Sequence, residues 1–200
     1  MELKEAWNKT WNFIWKDDSV WSWIISLILA FIIVKFIFFP LLSLAFGTTL
    51  PLVVVESGSM SHPGSFLGDT FGTQASFEKW WDKSSYWYVK NNITKEQAEN
   101  FYLRGGLEIG DIVLASGWGK IKIGDIIIFN GNQAHPIIHR IISIKEVNGE
   151  KIYSTKGDHN LDQLAIEKQI TQSQIIGKAI FKVPKLGWVK LGVVKFFQLF

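Results

Sequence analysis

From Val20 to Val55 the chain carries one charged residue, Lys35. A spanning helix needs about 20 apolar residues, and this run exceeds that. The rival reading is a cleaved secretory leader, whose apolar core runs roughly 7–15 residues and ends in small residues at a cleavage site. Here the run is longer and its tail is rich in Phe. The sequence therefore predicts an uncleaved anchor over residues 20–44, bent near Pro40, where the ring breaks the helical hydrogen-bond ladder. Lys35 sits near the end of the span, from where its amine reaches the headgroups. Trp11, Trp15, Trp21 and Trp23 suit the opposite interface. Lys4, Lys9 and Lys16 precede the span, and after Lys35 the next basic residue is Lys79. The bias of basic residues toward the cytoplasmic side puts residues 1–19 in the cytoplasm and everything after Leu50 outside, as a single-pass cell-membrane protein.

Beyond the anchor about 150 residues remain, enough for one modest domain with its own core. The net charge of +3 is spread without a Lys/Arg run, which gives a nucleic-acid partner little support, and there is no cysteine to form a disulfide or a thiolate site. "LVVV" reads as a short strand entering a small-residue turn. From residue 107 the pattern is that of a β domain. "LEIGDIVLAS" and "IKIGDIIIFN" nearly repeat one another, with Gly-Asp turns before apolar strands, and "PIIHRIISIKEV" and "KIYSTKG" form a hairpin turning at Asn148-Gly149. "SQIIGKAIFKV" is a further strand. Between them lies an insertion, residues 64–106, first Gly-rich and then aromatic. In it Thr94 and Gln97 form a capping-box pattern for a helix that Gly105 would end. The fold class expected is mainly β: an antiparallel β domain, residues 45–183, on an N-terminal transmembrane helix. Residues 184–200 read either as an interfacial segment on the membrane or as a core-packing helix.

Ser59 lies in "ESGSMSHP". Gly58 beside it lets a substrate backbone approach, and Ser57, two residues earlier, faces the same side of an extended chain. A serine nucleophile needs a base. His135 and His139 are four apart, but on a strand that separation is roughly 13 Å, too far for one zinc, so no metal is expected. His139 is the polar residue inside an apolar strand and the candidate base. "STKGDHNLDQ" offers Asp158 and Asp162 as acceptors for its other nitrogen, though both also serve as turn formers.

Taken together, the anchor, "SGSM", "IGDIIIF", "HRIISI" and "TKGDHN" resemble the type I signal peptidases, and more narrowly their archaeal and endoplasmic-reticulum branch. The resemblance covers residues 50–60 and 107–183. It implies a signal-peptidase-like fold and a membrane serine endopeptidase that releases signal peptides from precursor proteins, cutting after small residues. It implies Ser59 as nucleophile, His139 as general base where the bacterial branch has lysine, and Ser57 with the Ser59 N–H as oxyanion hole. Relatives often carry an acid five or six residues past the "GD" aspartate. Here Asp162 comes four later, and it is the preferred partner, with Asp158 as the alternative acid. No cofactor or metal is implied. The implied partners are signal-peptide-bearing precursors, the lipid bilayer and the protein translocation machinery, with no nucleic acid. The chain departs from the family in "SMSHP", one residue longer than the usual "SMxP", and in the aromatic insertion, expected beside the cleft or on the membrane surface. Two alternatives stand: a same-fold protease with another substrate, and a membrane-tethered scaffold that binds through its Trp-rich insertion.

Overall fold

A computed structural model of the chain describes residues 2–62 and 73–197. Pro63, the first part of the insertion (64–72) and the end of the C-terminal segment (198–200) lie outside the described residues. The chain divides into two compact units, Met1–Ala45 and Phe46–Phe200.

The first unit is helical. Helix α1 (Glu2–Lys16) carries Trp7, Trp11 and Trp15 four residues apart on one exposed face, with neighbouring rings 6.0 and 5.7 Å between centroids. Ser19 caps helix α2 (Val20–Ile33), and the Ser26 hydroxyl donates to the Ile14 carbonyl at 3.2 Å, fastening α1 to α2. A π-helical turn, Val34–Phe38, leads into helix α3 (Phe39–Phe46). The expected disturbance at Pro40 takes this form: proline has no N–H for the Phe36 carbonyl, and the ladder widens just before it. Val20–Phe46 is one helical stretch of 27 residues whose most apolar 18-residue window has mean hydropathy 2.7, long and apolar enough to cross a membrane.

The second unit is built on strands β1 (Leu52–Val54), β2 (Ile112–Ser116), β3 (Ile126–Phe129), β4 (Ile137–Val147), β5 (Glu150–Lys156), β6 (Ile170–Thr171) and β7 (Ile175–Val183). They form one curled antiparallel sheet in the order β1-β2-β7-β3-β4-β5-β6. The near-repeat in the sequence has a shared structural cause. In each copy glycine takes positive φ (Gly110 +87°, Gly124 +92°), and the following aspartate folds back to accept the N–H three residues earlier, Glu108 to Asp111 and Lys122 to Asp125, both at 2.9 Å. The β4–β5 hairpin turns at Asn148 and Gly149, both at positive φ, as the Asn-Gly pair requires.

By residue count helix (41%) exceeds strand (23%), so "mainly β" holds for the sheet scaffold and not for the whole chain. The N-terminal helices supply the larger part of the helix, and the insertion adds to it. Helix α4 (Gln74–Lys90) and helix α5 (Lys95–Glu99) bury Phe77, Trp80, Trp81, Tyr88, Ile93, Ala98 and Phe101 in one cluster with Ile142 of β4. The expected Thr94–Gln97 capping box is present, but α5 ends at Glu99 with Asn100 as its cap, and the backbone is irregular through Gly105. The aromatic residues are thus largely a second core, with Trp80 and Trp81 buried. Each fully buried aromatic ring contributes about 1.5–3 kcal/mol relative to exposure, enough to make the insertion part of the folded unit. In the C-terminal segment, helix α6 (Trp188–Phe197) starts docked on this unit. The Gly187 N–H donates to Gly110 O at 2.7 Å, and the Trp188 ring lies against Gly110, while Val189 and Val193 are exposed.

Candidate functional site

β1 ends at Val54, and the chain then makes a small-residue turn whose carbonyls are pinned one after another. The Ser61 N–H and hydroxyl hold Gly58 O at 3.0 and 2.8 Å, the His159 N–H holds Ser59 O at 2.9 Å, and the Leu107 N–H holds Met60 O at 2.9 Å. Met60 is buried beneath the turn with Val55, Leu107, Val113, Ile126 and Ala179. Ser59 is left half-buried and Ser57 exposed, so the hydroxyls face an accessible surface from a rigid base.

His139 reaches Ser59 from β4. Its Nε2 lies 2.9 Å from Ser59 Oγ, and its Nδ1 is hydrogen-bonded to Glu167 Oε1. His139 is 3% exposed and Glu167 is fully buried, so the hydrogen bonds that set the ring's tautomer are shielded from water. Glu167 is held in turn: Oε1 also accepts from the Thr155 hydroxyl at 3.2 Å, and Oε2 from the Leu164 N–H at 2.6 Å. Three donors on one carboxylate suit the ionised form, which accepts only. An accepting Oε1 puts the proton on His139 Nδ1 and leaves Nε2 bare, the form able to take a proton from Ser59.

The acid at His139 is therefore Glu167, and neither Asp162 nor Asp158 occupies that place. Asp162 is exposed and accepts the Trp87 indole N–H at 2.8 Å, which holds its carboxyl below the usual range. Asp158 lies on the other side of β4. His139 and Arg140 are adjacent in a strand and so point to opposite faces. Arg140 donates from Nε and Nη2 to Asp158 at 2.8 and 2.6 Å, and from Nη1 and Nη2 to the carbonyls of Tyr102, Gly124 and Leu103. Burial opposes ionisation of Asp158, but the Arg140 guanidinium and the hydrogen bonds from His62 and Arg140 outweigh it and hold the carboxyl well below its ordinary value. The Asp158 N–H meets Met60 Sδ at 3.4 Å and the Trp80 indole donates to its carbonyl at 3.0 Å, so Asp158 braces the Ser59 turn from behind.

Ser57 Oγ is 3.2 Å from Ser59 Oγ, and the Ser59 N–H has no hydrogen-bond partner among the described residues. His135 lies exposed in the β3–β4 loop, apart from buried His139. Glu167 carried no distinct signal in the sequence, since it sits in the mixed stretch "LAIEKQI". Its approach depends on β6, which pairs Ile170 with Tyr153 and so returns the 3₁₀ turn Ala165–Glu167 alongside Thr155.

No protein-family model matches the chain, and no curated protein matches it.

Proposed function

We propose that this chain is a membrane-anchored serine endopeptidase of the signal-peptidase type, acting on the signal peptides of secreted or membrane precursors. The observation that carries the reading is the unbroken Ser59–His139–Glu167 line, with Nε2 2.9 Å from Oγ and a buried carboxylate on Nδ1. In this reading His139 takes the Ser59 proton as Oγ attacks the scissile carbonyl, and Glu167 stabilises the imidazolium that forms. Ser57 and the Ser59 N–H hold the oxyanion. His139 then hands its proton to the leaving amine, and water, deprotonated by the same ring, hydrolyses the acyl-enzyme.

Strand β1 supports a peptide substrate. It is an edge strand, and Val53 pairs with Val113 of β2, so by alternation the N–H and C=O groups of Leu52 and Val54 point to the open side, and Val54 lies five residues before Ser59. An extended chain adding there is led toward the hydroxyl. The anchor favours a substrate met at the bilayer: Phe46 and Leu52 are separated by five residues, a tether of at most about 20 Å. The orientation proposed is N-terminus in the cytoplasm, catalytic unit outside, from the basic residues before the span.

The test is cleavage of a membrane-inserted secretory precursor by the purified full chain in lipid. Wild type should cleave, and Ser59→Ala and His139→Ala should each lose activity by more than about 10³-fold. Cleavage by Ser59→Ala at the wild-type rate would end this reading.

A further inference from the structure

His62 is buried in full behind the nucleophile turn. Its Nε2 is 3.0 Å from Asp158 Oδ2, its ring stacks on Trp80 at 4.6 Å with an interplanar angle of 6°, and its N–H donates to Glu108 at 3.3 Å. The Asp158 carboxylate is ionised and accepts only, so Nε2 carries the proton. Its Nδ1 has no hydrogen-bond partner among the described residues. A buried nitrogen without a partner is a standing cost to stability, and an apolar ring would fill the same stack without it. What only the imidazole supplies is the N–H to Asp158.

We propose that His62 is a positioning residue for Ser59: its Nε2–H ties the end of the nucleophile turn to the loop that holds the serine's own carbonyl. The inference rests on the peptidase reading above. The geometry of the tie is short and closed. Residue 62 is three past Ser59; Asp158 is next to His159, whose N–H holds Ser59 O at 2.9 Å, and the Asp158 N–H rests on Met60 Sδ. Gly157 completes it, since a Cβ there would stand 2.7 Å from Ser59 O. The turn is thus closed into a ring by the His62–Asp158 bond, and Trp80 of α4, which stacks on one member and donates to the other, makes the insertion the back wall of that ring. Within hydrogen-bond reach of this bond stand Arg140 and the Tyr88 hydroxyl, both on Asp158. Without the bond Asp158 keeps Arg140, so what is lost is the placement of the turn and not the ion pair.

The experiment compares His62→Phe and His62→Gln with wild type, as full-length chains in lipid, by the rate of Ser59 labelling with a fluorophosphonate probe, by kcat and KM on an inserted precursor, and by thermal midpoint. Phe keeps the stack and removes the N–H; Gln restores an N–H near the Nε2 position. The expected result is a fall of about 10- to 100-fold in labelling rate and kcat for His62→Phe, from a displacement of order 1 Å at the nucleophile. KM should be nearly unchanged, the thermal midpoint no lower than wild type, and His62→Gln within a few-fold of wild type. Labelling of His62→Phe at the wild-type rate overturns the inference. So does a loss of rate that tracks a lowered thermal midpoint and is not restored by Gln, because that is a role in folding alone. If wild-type Ser59 is neither labelled nor competent in cleavage, the peptidase reading itself fails and this inference with it.

Discussion

Replacing Glu167 by Gln removes one charge and changes almost no volume. The side chain is fully buried, and its oxygens accept from His139 Nδ1, Thr155 and Leu164. An amide has one acceptor oxygen and two N–H donors. If the oxygen stays on the Leu164 N–H, the amide nitrogen faces His139 and donates to Nδ1. The imidazole must then carry its proton on Nε2, where it can donate to Ser59 but cannot take the serine's proton. When the acid of a Ser-His-acid set is made an amide in this way, kcat falls by about 10⁴. At 1.36 kcal/mol per decade that is about 5 kcal/mol of transition-state stabilisation. The assay is single-turnover cleavage of an inserted precursor, with Asp162→Asn and Asp158→Asn beside Glu167→Gln. Asp162→Asn should stay within about twofold of wild type, since its carboxylate is exposed and touches neither the serine nor the histidine. Should Glu167→Gln cleave at more than a third of the wild-type rate while Asp162→Asn is inactive, the assignment of the acid is refuted. Far-ultraviolet circular dichroism and the thermal midpoint of Glu167→Gln separate a lost tautomer from a lost fold.

Ser57→Ala is expected to lower kcat by about 10²–10³ with little change in KM, as loss of one oxyanion donor does, and steady-state kinetics on a soluble precursor fragment read this directly. Asp158→Asn strips the anionic partner from buried Arg140 and should destabilise the unit by about 3–5 kcal/mol, measured by denaturant unfolding in detergent. The same pair sets an acid limit. Because the folded-state value of Asp158 is depressed below the unfolded one, its stabilisation is fully present above the unfolded value, about pH 4, and is lost as pH falls below it. A thermal midpoint that declines below that pH in wild type and declines less in Asp158→Asn is the expected pattern; parallel curves would contradict it. Gly106→Ala should misplace the nucleophile turn, since Gly106 sits at φ +68° and a Cβ would stand 2.2 Å from Met60 O. The readout is a loss of both fluorophosphonate labelling and thermal stability.

Some of this molecule is written locally and some is not. The apolar run Val20–Phe46 is legible because transfer from water to an apolar phase depends on the residues in the run and not on their neighbours in space. The Asn148-Gly149 turn and the Thr94–Gln97 capping box are legible because their hydrogen bonds close within a few residues. Ser59 and His139 were singled out by the chemistry each needs, a flexible small-residue turn and a polar break in an apolar strand, and the structure sets them 2.9 Å apart. The acid was not legible by the same means. Three carboxylates, Asp158, Asp162 and Glu167, follow β5 within eleven residues, and any of them is within chain reach of His139. The choice is made by β6 returning beside β5 to bring Glu167 to Thr155, and by the alternation of β4, which sends Arg140 and therefore Asp158 to the opposite face. The aromatic insertion was expected beside the cleft or on the membrane surface, and the sequence could not choose between the two for a related reason. A Trp-rich helix reads the same whether it faces lipid, a partner or a core, and only its packing against Ile142 and beneath Arg140 turns it into the wall behind the nucleophile. Sequence determines which groups are available; the long-range register of the strands decides which of them meet.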